Sequence, residues 1–334
     1  MSKVMHTVIA WCLIVRQFGF VHPIPGRPPS VQSYVWMSAS QCKALDEAGT
    51  TAHRLASGSG GWAERLGEDV ILSYKTDADL EELLAGLELQ SAVSGWKAAR
   101  VFTRHMPIKN ADRISPVLRS GDESLPLTTV VTEAGIRYAL DIGAGYSHGL
   151  FLDQRLNRAW LRHLQPKRLL NTFAYTCSFS VVAALAGAET LSVDLSRKSL
   201  DRGRHNFQLN GIAESGHRTL VDDALELLPQ LAWRGERFDA IILDPPTFSR
   251  SNSGRRWQVE EHFEDLLDVA LEVAMPKCAI LLSTNCTKID PASLERRARQ
   301  CAKGKRRTVN FSSTGRQVDF PEGHGASTLW MMTR

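Results

Sequence analysis

Between residues 168 and 283 the chain alternates short apolar runs with longer amphipathic ones. The runs at Arg168–Phe173, Thr190–Asp194, Arg218–Val221, Phe238–Leu243 and Ala279–Ser283 have strand length and are largely apolar. The stretches Phe179–Ala186, Arg197–Asn210, Ala224–Leu231 and Val259–Ala274 repeat apolar positions at helical spacing. Buried strands alternating with helices predict an α/β fold: a Rossmann-like, mostly parallel sheet of seven strands with helices on both faces. Arg307–Phe311 and Ser327–Met332 are expected to complete it as an antiparallel pair.

Upstream the rhythm changes. "EDVILSY" reads as a strand and "TDADLEELLAGLEL" as a helix capped by Thr76 or Asp77. "LTTVVTEAGIRYALDIG" alternates about Glu133-Ala134-Gly135, as a hairpin does. The expected organisation is an extension over 1–34, a small α+β accessory domain over 35–126, and a hairpin plus sheet domain over 127–334. The apolar run from Val4 to Val15 falls short of the ~18–20 residues that span a bilayer. No small-residue cleavage site follows it, and "HPIPGRPPS" reads as a linker. An upstream extension is therefore expected, with Met37 as a possible later start, no membrane partner and a cytoplasmic location.

Composition narrows the chemistry only slightly. The chain has 334 residues and a net charge of +4, which permits an anionic partner without requiring one. Six scattered cysteines without a CxxC pair predict neither structural zinc, nor any other metal, nor a disulfide framework. The segment from Lys97 to Arg119 sets six basic residues, Arg100 and Arg104 among them, against Asp112 alone. Its simpler reading is a solvated face, ahead of a nucleic-acid contact. "ERRARQCAKGKRR" fits either an RNA-binding surface or another solvated helix.

In parallel sheets ligands bind beyond the carboxyl ends of the strands, so those ends are where chemistry is sought. Asp194 ends the second strand and can accept from two ribose hydroxyls; Asp223, next to Asp222 and Ala224, can accept from an adenine amine. Either can instead cap the helix that follows it. The first turn, Phe173-Ala174-Tyr175-Thr176-Cys177-Ser178, lacks the glycines that bring amides against a pyrophosphate. A nucleoside without phosphates, S-adenosylmethionine, suits it better than NAD, with the Thr176 hydroxyl available to the amino-acid tail. In "DPPTF" the Asp244 carboxylate and the carbonyls of Pro245 and Pro246 are expected to hold the amino edge of a base, over which Phe248 can stack. Cys286, after the fifth strand, is a candidate nucleophile for cytosine C5, or an inert buried thiol. Arg155, with Arg158 one helical turn on, can meet substrate phosphate or lie on the surface while Asp153 caps a helix.

Together, "GLFLDQRLNR", "LLNTFAYTCSFSVVAALAGA", "VDLSRKSLDRGRHNFQLNG", "VDDALELL" and "FDAIILDPPTF" resemble the bacterial adenosylmethionine-dependent methyltransferases that include the large-subunit ribosomal RNA cytosine-5 enzymes. The resemblance runs from Tyr138 to the C-terminus, and "GTTAHRLASGSGG" looks like a worn version of a preceding segment. It implies a class I methyltransferase fold and S-adenosylmethionine held by the turn 173–178, by Asp194 with Leu195, and by Asp222, Asp223 and Ala224. It also implies Asp244 at the site of methyl transfer, and RNA, ribosomal RNA in particular, as the partner. Many relatives have glycine where Cys177 stands, and no RNA-binding module of the PUA type is visible. A protein or small-molecule methyltransferase and a non-catalytic RNA-binding relative are the alternatives.

Overall fold

The computed structural model describes residues 34–106, 115–145, 147–250, 256–321 and 324–334. The Val4–Val15 run, the Pro-rich linker, Lys109 and Arg113 lie outside the described residues. The N-terminal region runs β1 (Tyr34–Trp36), α1 (Ala39–Glu47), β2 (Ala52–Gly58), β3 (Gly61–Leu66), β4 (Asp69–Tyr74), α2 (Asp77–Ser94), β5 (Arg100–His105) and β6 (Val117–Ser120). Its six strands form one sheet in sequence order. Thr76 caps α2 through the Asp79 amide, so the first of the two cap candidates is the one used. β1 pairs with β2 and precedes Met37, so a start at Met37 would delete a strand of this sheet.

The basic stretch in this region is only in part a solvated face: Lys97 and Arg119 are exposed, while Arg100 and Arg104 are not. Arg100 is buried and makes a two-pronged ion pair with Asp69 at 2.7 and 2.8 Å. Arg104 is buried as well, donating to the Ser73 hydroxyl at 2.7 and 3.1 Å. Alternation explains the misreading, because every second residue of β5 points inward whatever its charge.

β7 (Thr128–Glu133) and β8 (Ile136–Asp141) form the expected hairpin. Ala134 and Gly135 both take positive φ, 49° and 77°, as a two-residue turn matched to the strand twist requires. After it come α3 (Arg155–Leu164), β9 (Arg168–Thr172), α4 (Ser178–Leu185), β10 (Glu189–Asp194), α5 (Arg197–Leu209), β11 (His217–Val221), α6 (Ala224–Trp233) and β12 (Phe238–Leu243). A short hairpin, β13 (Phe248–Arg250) and β14 (Arg256–Gln258), leads into α7 (Val259–Val273), β15 (Ala274–Thr284), α8 (Pro291–Gly304), β16 (Val309–Ser312) and β17 (Ser327–Thr333).

The seven-stranded sheet has the order β11-β10-β9-β12-β15-β17-β16. Five strands are parallel, and β17 runs antiparallel between β15 and β16. Successive residues bury on opposite faces. Leu170, Ile241 and Leu282 join the core under α6, α7 and α8, while Leu169, Ile242 and Leu281 join the core shared with α4, α5 and the hairpin. Truncating one of these side chains to alanine costs about 2–5 kcal/mol. The chain leaves β9 outward to β11 and returns to β12, and that reversal opens a crevice at the strand ends.

Candidate active site

Register sets the strand ends level. Thr172 pairs with both Val193 and Leu243, Asp194 with Val221, and Leu243 with Leu282. Phe173, Asp194, Asp222 and Asp244 therefore leave the sheet along one edge. Phe173, Asp194, Leu195, Asp222, Asp223 and Ala224 line a narrow cleft, joined by Ser249 and Trp257 from the β13–β14 hairpin. Among the described residues three carboxylates and no lysine or arginine line it. Such a wall repels a diphosphate and suits a nucleoside that carries positive charge.

Asp194 accepts from the backbone N–H of Tyr175 and of Ser196, each at 2.8 Å. Burial pushes its carboxyl above the usual carboxylate range, and these two amides oppose the rise. Ser196, not Asp194, caps α5. Asp223 does cap α6, accepting from the Leu225 amide at 2.9 Å, and it also lines the cleft. Capping and cleft-facing are compatible, since a carboxylate has about four acceptor sites.

The glycine-free turn has an unusual backbone. Phe173, Tyr175 and Cys177 take φ of 54°, 49° and 60°, left-handed values at every second residue that glycine normally supplies. Each costs a side-chain-bearing residue roughly 1–2 kcal/mol. Such strain persists only where the surrounding structure holds it. Cys177 fits because Gly203 on α5 leaves room: a Cβ at 203 would stand 2.4 Å from the Cys177 Sγ. The expected role of the Thr176 hydroxyl is not available, because it is buried and donates to the Gly149 carbonyl at 2.5 Å. Tyr175 likewise donates its hydroxyl to the Ser147 carbonyl at 2.9 Å, and Ala174 is buried with its N–H on Val193. Ser178 begins α4, with Cys177 as an N-cap whose side chain makes no capping bond. Of the six turn residues, Phe173 alone lines the cleft.

Asp244 follows β12 at the same edge. Burial pushes its carboxyl up to about 6; Asp153 adds to the rise, while Ser283 and Arg158 oppose it. Pro245 is buried and Pro246 exposed. The Pro246 carbonyl does not face an open cleft as expected: it accepts from the Trp257 indole N–H at 2.8 Å. That bond ties the β13–β14 hairpin to the end of β12. Phe248 is 59% exposed on the hairpin, with its ring available to stack. Trp257 and Ser249 escaped the sequence reading, although "TFSR" and "RWQV" flanking a Ser/Asn/Gly-rich stretch carry a hairpin signal.

Other candidates stand elsewhere. Cys286 is 5% exposed within the apolar core, its thiol 3.7 Å from Glu260. Nearby cations are engaged elsewhere: Lys288 with Glu260 at 3.1 Å, Arg297 with Glu264. Arg155 is 8% exposed and paired with Asp319, whose other oxygen accepts from the Arg54 amide of β2 at 3.1 Å. Arg158 is 1% exposed and clamps Glu133 of the hairpin at 2.6 and 2.7 Å. These arginines join parts of the fold and are not open to substrate phosphate. Asp153 caps no helix; it accepts from the Ala326 amide at 2.9 Å. Among the described residues no cluster of His, Cys, Asp and Glu could hold a metal ion, and no helix is long and apolar enough to cross a membrane.

The sheet order is that of a Rossmann-like α/β fold with an acidic crevice at its strand ends. Residues 61–326 match the family described as S-adenosylmethionine-dependent methyltransferase, and the chain belongs to that family. The match reaches back to β3, well before the Tyr138 at which the sequence resemblance begins. The chain is 35% identical over 186 residues to "Ribosomal RNA large subunit methyltransferase I" of Shewanella amazonensis, covering 52% of this chain and 46% of that protein. It is 33% identical over 213 residues to the protein of the same name from Erwinia tasmaniensis, covering 61% and 53%. The chain thus spans about half the length of the curated relatives it matches. In fold it is similar to SMU.776 complexed with SAH (TM-score 0.72, 22% identity, 90% of this chain and 83% of that one). It is also similar to the SAM-dependent methyltransferase of Agrobacterium tumefaciens (TM-score 0.66, 23% identity, 85% and 90%).

Proposed function

We propose that this protein transfers a methyl group from S-adenosylmethionine to a base of large-subunit ribosomal RNA, in the cytoplasm. The observation that carries the reading is the meeting of two acidic sites on one sheet edge: the cleft of Asp194, Asp222 and Asp223, and Asp244 beyond β12. When bound, the cofactor supplies a sulfonium-activated methyl group that needs no further activation. The chain's own task is placement, and alignment of this kind is worth up to about 7–11 kcal/mol. Asp194 orients the ribose hydroxyls and Asp223 the adenine edge. The ionised Asp244 accepts from the exocyclic amine of the target base, while Phe248 stacks on its ring. The relatives' printed names support ribosomal RNA as the substrate.

The test is transfer of labelled methyl from S-adenosylmethionine to protein-free ribosomal RNA, to ribosomal protein and to small amines. Label in large-subunit RNA that disappears with Asp244→Asn is the expected result. Label confined to protein removes the RNA reading. Calorimetry without heat at high micromolar S-adenosylmethionine removes the enzyme reading and leaves a non-catalytic relative.

A further inference from the structure

A one-way chain of buried hydrogen bonds runs from the last strand to Ser283, the residue that follows the register partner of Leu243 and so lies beside Asp244. The Trp330 indole N–H on β17 donates to Asn157 Oδ1 at 2.9 Å. Asn157 Nδ2 donates to Gln154 Oε1 at 2.8 Å, and Gln154 Nε2 donates to the Ser283 Oγ at 3.0 Å. All four residues are buried. The direction is not a matter of choice. An indole can only donate, so the atom of Asn157 that meets it is the carbonyl oxygen. The Asn157 amide group must then donate to Gln154, whose own amide group must donate to Ser283. The Thr314 hydroxyl, donating to the same Asn157 oxygen at 3.2 Å, reinforces that orientation.

Ser283 thus has an acceptor site filled and its proton left to give. β15 places it next to Leu282, the register partner of Leu243, and so beside Asp244. Its hydroxyl faces that carboxylate and favours the ionised form. We infer that Ser283, Gln154, Asn157 and Trp330 form a positioning relay that holds the Ser283 proton on Asp244, keeping it an oriented acceptor for the target amine. The relay rests on the proposed function for its purpose, while its geometry is independent of it. The charged groups facing Asp244 are Asp153, from the short turn before α3, and Arg158 on α3. Behind these stand Arg54, near Asp153, and Glu133, paired with Arg158. None belongs to the relay, so its contribution is separable from theirs.

The experiment has two arms. In the first, the rate of methyl transfer to ribosomal RNA is followed against pH. The wild-type rate falls as pH drops through the Asp244 midpoint near 6. Ser283→Ala moves that acid limb up by roughly half a pH unit or more, the order of one hydrogen bond to a carboxylate. Ser283→Thr keeps the hydroxyl and restores the limb. Asn157→Leu, two links away and uncharged, frees the Gln154 amide to turn and take the Ser283 proton, and moves the limb the same way by less. The second arm needs no activity. Unfolding free energy is measured against pH in wild type and Ser283→Ala, each with and without Asp244→Asn. A carboxyl raised in the folded state stabilises below its unfolded value of about 4, and that stability is lost as pH rises through the folded one. In Ser283→Ala the Asp244-dependent part of this loss extends to higher pH. If both arms stay put while wild type methylates RNA, the relay is overturned. If the second arm shifts and wild type methylates no RNA, the functional reading falls and the relay stands.

Discussion

Asp194 and Asp244 leave the same sheet edge, yet they are held by different parts of the chain. Asp194 is fixed by two main-chain amides, Tyr175 on the neighbouring turn and Ser196 two residues on. Asp244 is framed by side chains from afar: Ser283 on β15, Asp153 before α3 and Arg158 on α3. Those groups are in turn fastened to the hairpin through Glu133, and to the closing segment through Gln317 and Ala326. The side proposed for the cofactor, the cofactor half, is therefore a property of the parallel sheet itself. The side proposed for the target, the target half, is its neighbour on the same edge and is assembled from distant parts of the chain. On this proposal remote substitutions should damage the target half and spare cofactor binding.

Arg155→Met should give the largest effect. The Arg155–Asp319 pair is buried on both sides and joins α3 to β2 through the Arg54 amide. Leaving Asp319 charged and unpaired costs about 3–5 kcal/mol of unfolding free energy. Denaturant titration reads that loss, while S-adenosylmethionine affinity of the folded protein stays near wild type. Unchanged stability with weakened RNA binding would instead return Arg155 to the substrate. Asp194→Ala should do the converse. It removes an acceptor shared by two amides and the ribose, each charge-assisted bond being worth about 1.5–3 kcal/mol. Calorimetry is expected to show affinity for S-adenosylmethionine lower on the order of a hundredfold, with RNA binding retained. Equal loss of both ligands would abolish the distinction between the halves.

The same distinction explains what the sequence made legible. Strand ends and the acids that follow them are local, so periodicity puts Phe173, Asp194, Asp222, Asp223 and Ala224 at one sheet edge, while their cofactor role is what the family resemblance implies; all five line the cleft. Long-range packing is not local. Arg155 and Arg158 look like surface cations in one dimension, because their partners Asp319 and Glu133 lie far away in sequence. Arg100 and Arg104 mislead in the same way, their partners standing on β4. Left-handed backbone at Phe173, Tyr175 and Cys177 is invisible where the residues themselves disfavour it. The relay from Trp330 to Ser283 joins four elements and has no signature in any one of them.

A sharper test of the turn follows from its contact with α5. A methyl group at Gly203 would stand 2.4 Å from the Cys177 Sγ and 3.0 Å from its Cβ, and the buried thiol has nowhere to swing. Gly203→Ala should cost about 1–3 kcal/mol through overpacking. Cys177→Gly removes the obstacle and also the left-handed strain, so the double variant should recover most of that loss in thermal denaturation. A double variant no more stable than Gly203→Ala alone would mean that the two residues do not oppose each other across this contact.

Cys286→Ala should have the smallest effect, and it separates the two chemistries the target half can perform. A cytosine C5 route needs a thiolate that adds to C6 of the base, and deleting such a nucleophile lowers turnover on the order of a thousandfold or more. Cys286 is packed in the core beneath α7 and α8 with its Sγ toward Glu260. Turnover of the alanine variant on ribosomal RNA is therefore expected within about threefold of wild type, accompanied by a stability loss of about 1 kcal/mol for the vacated volume. Mass analysis of the product should then place the methyl group on the exocyclic nitrogen that Asp244 holds. Turnover abolished in a variant that still binds S-adenosylmethionine would require the segment after β15 to rearrange and deliver the thiol to the base. The target half would then be mobile as well as remotely assembled, and Asp244 would orient a cytosine for attack at its ring carbon.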